Sequence, residues 1–199
     1  MSLFAKHQPV LNKAIEALHS RVFFAAFPEH PAPAMYGETA DADGQAKFKN
    51  HLGKKFEELK QTNPQSWGGQ EESPYTQEAL NISYPLFSVD SLITNSKTAF
   101  HLWRKVSAQN RAGLLMESLD RAKKRFFEIA YATMHTTGQG YMMAFQASGP
   151  HAADRALEAI AAGYEELNRF PEKAMWNKPM GKFNIQLNKE WHAVPKGIS

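Results

Sequence analysis

Met134-His-Thr-Thr-Gly-Gln-Gly-Tyr-Met-Met-Ala-Phe-Gln-Ala-Ser-Gly-Pro-His-Ala-Ala-Asp-Arg155 is the stretch from which the rest of the chain is read. A helical pattern arrives from Ala108, and Thr136-Thr137-Gly138 stops it. Threonine is a modest helix former, and a glycine past the last apolar turn takes the left-handed conformation without a Cβ clash. A short apolar segment follows, Tyr141-Met-Met-Ala-Phe145. Pro150 then sits in the first turn of a new helix, where its missing N–H is not needed. The spacing predicts two helices joined by a partly apolar elbow.

Upstream of the elbow, Ala112, Leu115, Leu119, Ala122, Phe126, Ile129, Ala130 and Thr133 fall on a helical period. One unbroken helix over 108–135, capped by Ser107, is expected. A second stripe, Val89, Leu92, Ile93, Ser96, Ala99, Phe100 and Trp103, predicts a helix from Ser88. Ala79-Leu-Asn-Ile-Ser-Tyr84 alternates apolar and polar before Pro85 and reads as an edge strand over 79–84.

At the N-terminus, Leu3, His7, Leu11, Ala14 and Leu18 mark a helix over 2–20. Pro28, Pro31 and Pro33 hold an extended segment to Tyr36. Thr39 or Asp41 caps a helix to about Leu52, with Phe48 and Leu52 inward and Gly53 as its stop. Residues 63–74 form a loop by composition. Residues 1–75 read as an arm that packs on something else, and residues 76–199 as a helical layer with a β tail. Downstream of the elbow, Ala156, Ala159, Ile160, Gly163, Tyr164 and Leu167 mark a last helix, ended by Pro171. Phe183 to Leu187 and Trp191 to Val194 alternate, so the tail over 183–194 reads as β, with a turn at Pro195-Lys-Gly197 and a new element starting at Ile198.

The 199 residues are 43% hydrophobic with a net charge of +3. That is globular composition, in a length that buries roughly 70% of the unfolded surface. The small surplus of positive charge does not argue for nucleic acid. No apolar run is long enough to span a membrane, and the first residues do not resemble a signal peptide. A cytoplasmic protein is expected. With no cysteine, there is no disulfide, thiolate metal site or thiol nucleophile in these residues.

Four local patterns offer candidate chemistries. His135 and His151, with Asp154 near, lack the i, i+4 spacing of a metal site on a helix, so no metal is expected. Ser148, His151 and Asp154 share a helix start, which is a capping arrangement before it is a catalytic triad. Gly138-Gln-Gly140 lacks the third glycine and the preceding strand of a dinucleotide site. The run Arg121-Ala-Lys-Lys-Arg125 reads as a solvated face rather than a phosphate track. Taken alone, the residues describe a helical layer with edge strands and no catalytic centre.

The region from Asp90 to Ile198 resembles the N-terminal part of the aldehyde dehydrogenase superfamily. The carriers, in order, are Ala99-Phe-His-Leu-Trp-Arg104, Ser107 with Arg111 and Leu115, Thr137-Gly-Gln139, the helix through Tyr164, and Pro195-Lys-Gly-Ile198. Within it the chain is most similar to the PaaN-type enzymes of phenylacetic acid degradation. That similarity rests on Tyr36-Gly-Glu-Thr-Ala40, Glu72-Ser-Pro-Tyr75, Met134 to Gln139, Met143-Ala-Phe-Gln-Ala147 and Gly149-Pro-His-Ala152 with Asp154 and Arg155. Gln139 stands where the superfamily usually has lysine.

The resemblance implies an α/β fold of which this piece is mostly helical, truncated before the dinucleotide-binding sheet. It implies a parent enzyme using NAD(P) to oxidise an aldehyde, a CoA-linked semialdehyde of aromatic catabolism, and forming a homo-oligomer. In that family a cysteine attacks the aldehyde and a glutamate activates water, both beyond Ile198. The piece itself is therefore expected to carry no catalytic or cofactor-binding residue and to be inactive alone. The helix after Pro150 would border the substrate tunnel, which makes His151 and Arg155 the substrate-entrance candidates. The alternative is a stand-alone helical interaction module without catalysis.

Overall fold

Three aromatic side chains, the adjacent Phe126 and Phe127 and the more distant Phe145, meet in one buried cluster, and the helices are arranged around it. The computed structural model describes residues 2–194 together with 196 and 197. The expectations resting on Pro195 and Ile198 lie outside the described residues. In chain order the elements are α1 (Leu3–Ser20), α2 (Pro33–Tyr36), α3 (Ala40–His51), β1 (Ser66–Gly68), β2 (Tyr84–Leu86), α4 (Val89–Trp103), α5 (Ala108–Lys123), α6 (Phe126–Thr137), α7 (Tyr141–Ser148), α8 (Pro150–Leu167), β3 (Lys173–Met180) and β4 (Phe183–Glu190).

α1 begins where Ser2 Oγ accepts the N–H of Ala5, and it ends at Arg21 in the left-handed region. It packs against α5 and α8. Leu11 and Ala14 meet Ala112, Met116, Leu157 and Ala161, and all six are buried. α3 lies on α6. Gly44 makes that approach possible, because a Cβ there would sit 2.3 Å from Phe127 Cβ. Phe48 faces inward as expected, but Leu52 lies beyond the helix end and is exposed. Thr39 precedes α3 without capping it, its hydroxyl donating to Asp43 instead.

The expected single helix over 108–135 is two helices. Lys124 and Arg125 form a turn in which their N–H groups reach back only three residues. Arg125 pairs there with Glu58 and Glu128. The inward stripe shifts as well: Met116 is buried, and Leu115 is 42% exposed. Gly138 closes α6 with φ +77°, as the sequence predicts. The elbow itself is helical, since residues 141–148 form α7 between Gly140 and Gly149. Its Ala144 and Phe145 are fully buried, and Phe145 lies 4.8 Å from Phe127, ring centre to ring centre. α8 starts at Pro150 and runs to Leu167.

The β pieces differ from expectation in extent. Residues 79–83 make isolated bridges rather than a strand, with Leu80 and Ile82 buried, and the strand begins at Tyr84. It pairs antiparallel with β1, and Pro85 is tolerated because the sheet has only two strands. The tail is a hairpin in which β4 ends at Glu190 and pairs with β3; residues 191–194 are not strand.

Two parts bury almost nothing. No residue of α4 is buried, and every residue of β3 and β4 is exposed. The hairpin register puts Trp176 opposite Leu187, Lys178 opposite Ile185 and Met180 opposite Phe183, so one face is largely apolar. This face and the stripe of α4 leave Val89, Leu102, Trp176, Phe183 and Leu187 in water, and apolar patches beyond a few hundred Å² are unusual on a monomer. At ~25 cal/mol per Å², covering ~200 Å² of such surface would contribute about 5 kcal/mol. The chain alone is therefore expected to self-associate or to bind ANS. Light scattering at tens of micromolar that shows a monodisperse monomer, with a sharp melt and no ANS signal, would contradict this.

Candidate functional site

At the elbow, two stretches far apart in sequence are tied together. Ser73 is fully buried, and its Oγ accepts the N–H groups of Tyr75 (3.2 Å) and Thr76 (3.3 Å). The same oxygen lies 2.7 Å from His135 Nδ1. A hydroxyl that already accepts twice has its one proton to give, so Ser73 donates to Nδ1 and His135 is the neutral Nε2–H tautomer. Burial, with help from the charge of Lys49, lowers the pKa of His135 and favours that form. The ring stacks on Phe48 at 4.9 Å, and the Tyr75 hydroxyl donates to the Gln139 carbonyl at 2.7 Å. Ser73 has no exposed surface from which to act as a nucleophile.

The residues singled out from sequence are held separately. His151 pairs with Glu29 at 3.1 Å and Arg155 with Glu158 at 2.7 Å, both on the exposed side of α8. Asp154 is buried and accepts the N–H of Ala26 at 2.8 Å, pinning the segment after α1 to α8. Burial raises its pKa, and the backbone N–H groups of Ala26 and Phe27 work against that rise. Ser148 donates to the Ala144 carbonyl. Ser148, His151 and Asp154 thus each have a different partner, and His135 and His151 do not converge. Of the basic run, Arg121 pairs with Glu117, Arg125 with Glu58 and Glu128, and Lys123 lies 5.8 Å from the centre of the Tyr36 ring.

Sequence reasoning missed a second constellation. Glu128 is 6% exposed, and its carboxylate accepts from His51 Nε2 (2.9 Å) and from two nitrogens of Arg125 (2.9 and 2.5 Å). The remaining guanidinium nitrogen goes to Glu58. Burial penalises the Glu128 charge, but the hydrogen bonds from Arg125 and His51 outweigh it and hold the carboxyl below its ordinary range. Only the Arg125–Glu128 pair, three residues apart, is visible locally; His51 and Glu58 come from 77 and 67 residues away. This cluster stands at the rim of an apolar cavity of about 340 Å³ between α3, α6 and residues 79–84.

Two groups bring carboxylates and a histidine within metal-ligating reach: His7, Glu117 and Asp120, and His51, Glu58 and Glu128. In each the carboxylates already meet a cation, Lys6 or Arg125. Both sets are better described as ion-pair networks than as ligand spheres. Hydrogen bonds from Lys6, His7 and Arg121 hold the Glu117 carboxyl down to about 2. A dinucleotide does not fit Gly138-Gln-Gly140, which links two helices; among the described residues the sheets are two antiparallel pairs, with no βαβ unit.

This arrangement of helices and hairpin is the N-terminal part of an aldehyde dehydrogenase fold. It superimposes with a TM-score of 0.92 on an NAD-dependent aldehyde dehydrogenase from Burkholderia multivorans, at 46% sequence identity over 98% of the chain. The chain spans 35% of that neighbour's length. No family model matches the chain, and no curated protein does. Identity at this level, along the whole chain and in the same fold, supports the aldehyde dehydrogenase superfamily.

Glu128→Gln removes the charge that Arg125 and His51 hold, and is expected to cost about 3 kcal/mol near neutral pH. Because the folded carboxyl lies below its unfolded value, its contribution is complete above the ordinary carboxylate range and is lost as pH falls through the depressed value. Urea titrations should show the gap between parent and variant closing in acid. A gap unchanged between about pH 7 and pH 3 would show that the network is not ionic.

Proposed function

We propose that these 199 residues are the N-terminal part of an NAD(P)-dependent aldehyde dehydrogenase, with residues 1–75 as a subfamily-specific arm and 76–199 as the helical layer and hairpin of its N-terminal region. The observation that carries this reading is the 46% identity over 98% of the chain, joined to the TM-score of 0.92. The stand-alone interaction module is not favoured by a likeness that extends along the whole chain. The complete enzyme would be a cytoplasmic homo-oligomer that uses NAD(P). Its substrate would be an aldehyde, more specifically a CoA-linked semialdehyde from phenylacetate or other aromatic catabolism. The finer reading rests on the PaaN-type resemblance carried by the motifs at Glu72–Tyr75 and Met134–Gln139, which pack together through Ser73, His135 and Tyr75.

The role of these residues in that enzyme is to build a wall rather than to react. Cysteine is absent from the sequence, so the thiol nucleophile of this chemistry lies elsewhere. The chain alone is expected neither to oxidise aldehydes nor to retain NAD(P). Reproducible aldehyde-dependent formation of the reduced cofactor by the purified chain, above roughly 0.01 per second and so far below ordinary enzyme turnover, would overturn this.

His151 and Arg155 are proposed to border the aldehyde entrance. They lie four residues apart on α8, and Arg155 is tied only to Glu158 on its own helix. Such an exposed pair is worth little and yields easily to a phosphate or carboxylate. In the complete enzyme, Arg155→Ala is expected to raise KM about tenfold for an acyl-CoA semialdehyde and little for a small neutral aldehyde. Equal effects on both substrates would assign Arg155 to the surface ion pair alone.

A further inference from the structure

Phe48 on α3 and Ile129 and Ala132 on α6 share a cavity of about 340 Å³ with Phe56, Ile82 and Tyr84. Its walls are held by backbone. The Gly53 N–H donates to the Leu80 carbonyl at 3.0 Å, Phe56 to Ser83 at 2.8 Å and Ser83 to Lys54 at 3.0 Å. These bonds tie the stretch carrying Phe56 to the stretch carrying Ile82. On the other side, Gly44 fixes the close approach of α3 to α6. Walls held in this way relax only in part into the space between them.

The charged groups at the rim, His51, Arg125 and Glu128, ask nothing of a ligand. Glu128 takes two nitrogens of Arg125 and the Nε2 of His51, and Glu58, which does not line the cavity, takes the remaining side of Arg125. Two carboxylates on one guanidinium leave that corner unfavourable for an anion. The Thr136 hydroxyl, also in the lining, donates to the Ala132 carbonyl at 2.8 Å. A charged molecule entering here would lose its hydration and find no partner, whereas an uncharged one loses little. The volume is more than twice that of the engineered apolar cavity of ~150 Å³ that takes up benzene. The rings around it stand tilted, His51 to Phe56 at 5.2 Å and Phe56 to Tyr84 at 5.8 Å, a setting in which a further ring packs by offset or edge contact.

We propose that this cavity binds a small uncharged arene of one or two rings, held by contact with Phe48, Phe56 and Ile82 and by no charged group. None of its lining comes from α8, so the site does not depend on the aldehyde entrance or on the enzymatic reading. Nothing in it reacts; it selects by size and by the absence of charge.

Indole and toluene are the probes, with benzoate as the charged counterpart, titrated into the purified chain and followed by methyl NMR. Indole is expected to bind with Kd on the order of 1 mM or tighter, and benzoate at least about tenfold more weakly. The methyl resonances of Ile82, Ile129 and Ala132 should move first, and Ala132→Phe, which fills the space, should abolish the binding. The NMR shifts locate the ligand in the parent chain, so the test stands even if that variant does not fold. Absence of binding by both indole and toluene at about 5 mM would overturn the proposal. So would binding that leaves those three methyl groups unmoved, which would place the probes on the exposed apolar faces of α4 and the hairpin. Benzoate binding as tightly as indole would overturn the selection against charge.

Discussion

Burial of four phenylalanines in one place constrains the rest of the fold. Phe27, Phe126, Phe127 and Phe145 come from the extended segment, the start of α6 and the middle of α7. Tyr36 joins them with its ring edge-on to Phe127 at 5.4 Å and to Phe145 at 5.5 Å, and its hydroxyl donates to the Pro28 carbonyl. Phe126 and Phe127 are neighbours in the chain, and both are buried directly after the break at Lys124–Arg125. The break aims the start of α6 at α7, and the left-handed Gly138 turns the chain so that α7 comes back against it. Arg125 holds the break on one side and the cavity rim on the other. A backbone irregularity, the start of an aromatic core and the rim of an apolar cavity therefore meet at one residue.

The elements legible in the sequence were those with a local cause. Ser2, Ser88 and Ser107 accept N–H groups three residues on, and Gly138 and Pro150 mark an end and a start. The break after Lys123 had no such mark. The apolar period runs straight through it from Ala122 to Phe126, and one partner of Arg125 there, Glu58, comes from 67 residues away. α7 escaped because eight residues, apolar on most sides, show no period. β3 contains Asn177 and Pro179, poor strand formers, and exists as the partner of β4.

The candidate site was legible in a different sense. Family resemblance named His151 and Arg155, and the structure gives each a surface partner. The polar groups buried most deeply, Ser73, Glu128 and Asp154, each have at least one partner distant in sequence, His135, His51 and Ala26, which no local pattern reveals. A buried acid is recognisable only once its donors are in place. The unburied faces of α4 and the hairpin were readable in part: the stripe of α4 is as regular as that of a core helix. Periodicity says that a face is apolar and leaves open what covers it.

The arm is fastened late in the chain's own order. Lys6 and His7 reach Glu117, and Ala26 reaches Asp154, across 111, 110 and 128 residues. During synthesis the arm leaves the ribosome first, and its docking partners on α5 and α8 follow roughly a hundred residues later. At ~5–20 residues per second that is a delay of about 5–20 s. For that interval Leu11, Ala14 and Phe27 lack the surface that covers them in the fold, and α1 carries its apolar stripe exposed. The serine cap and the left-handed stop at Arg21 let α1 form from its own residues during the delay. These long-range contacts thus impose a period of vulnerability that the fold's most local ones are suited to bridge.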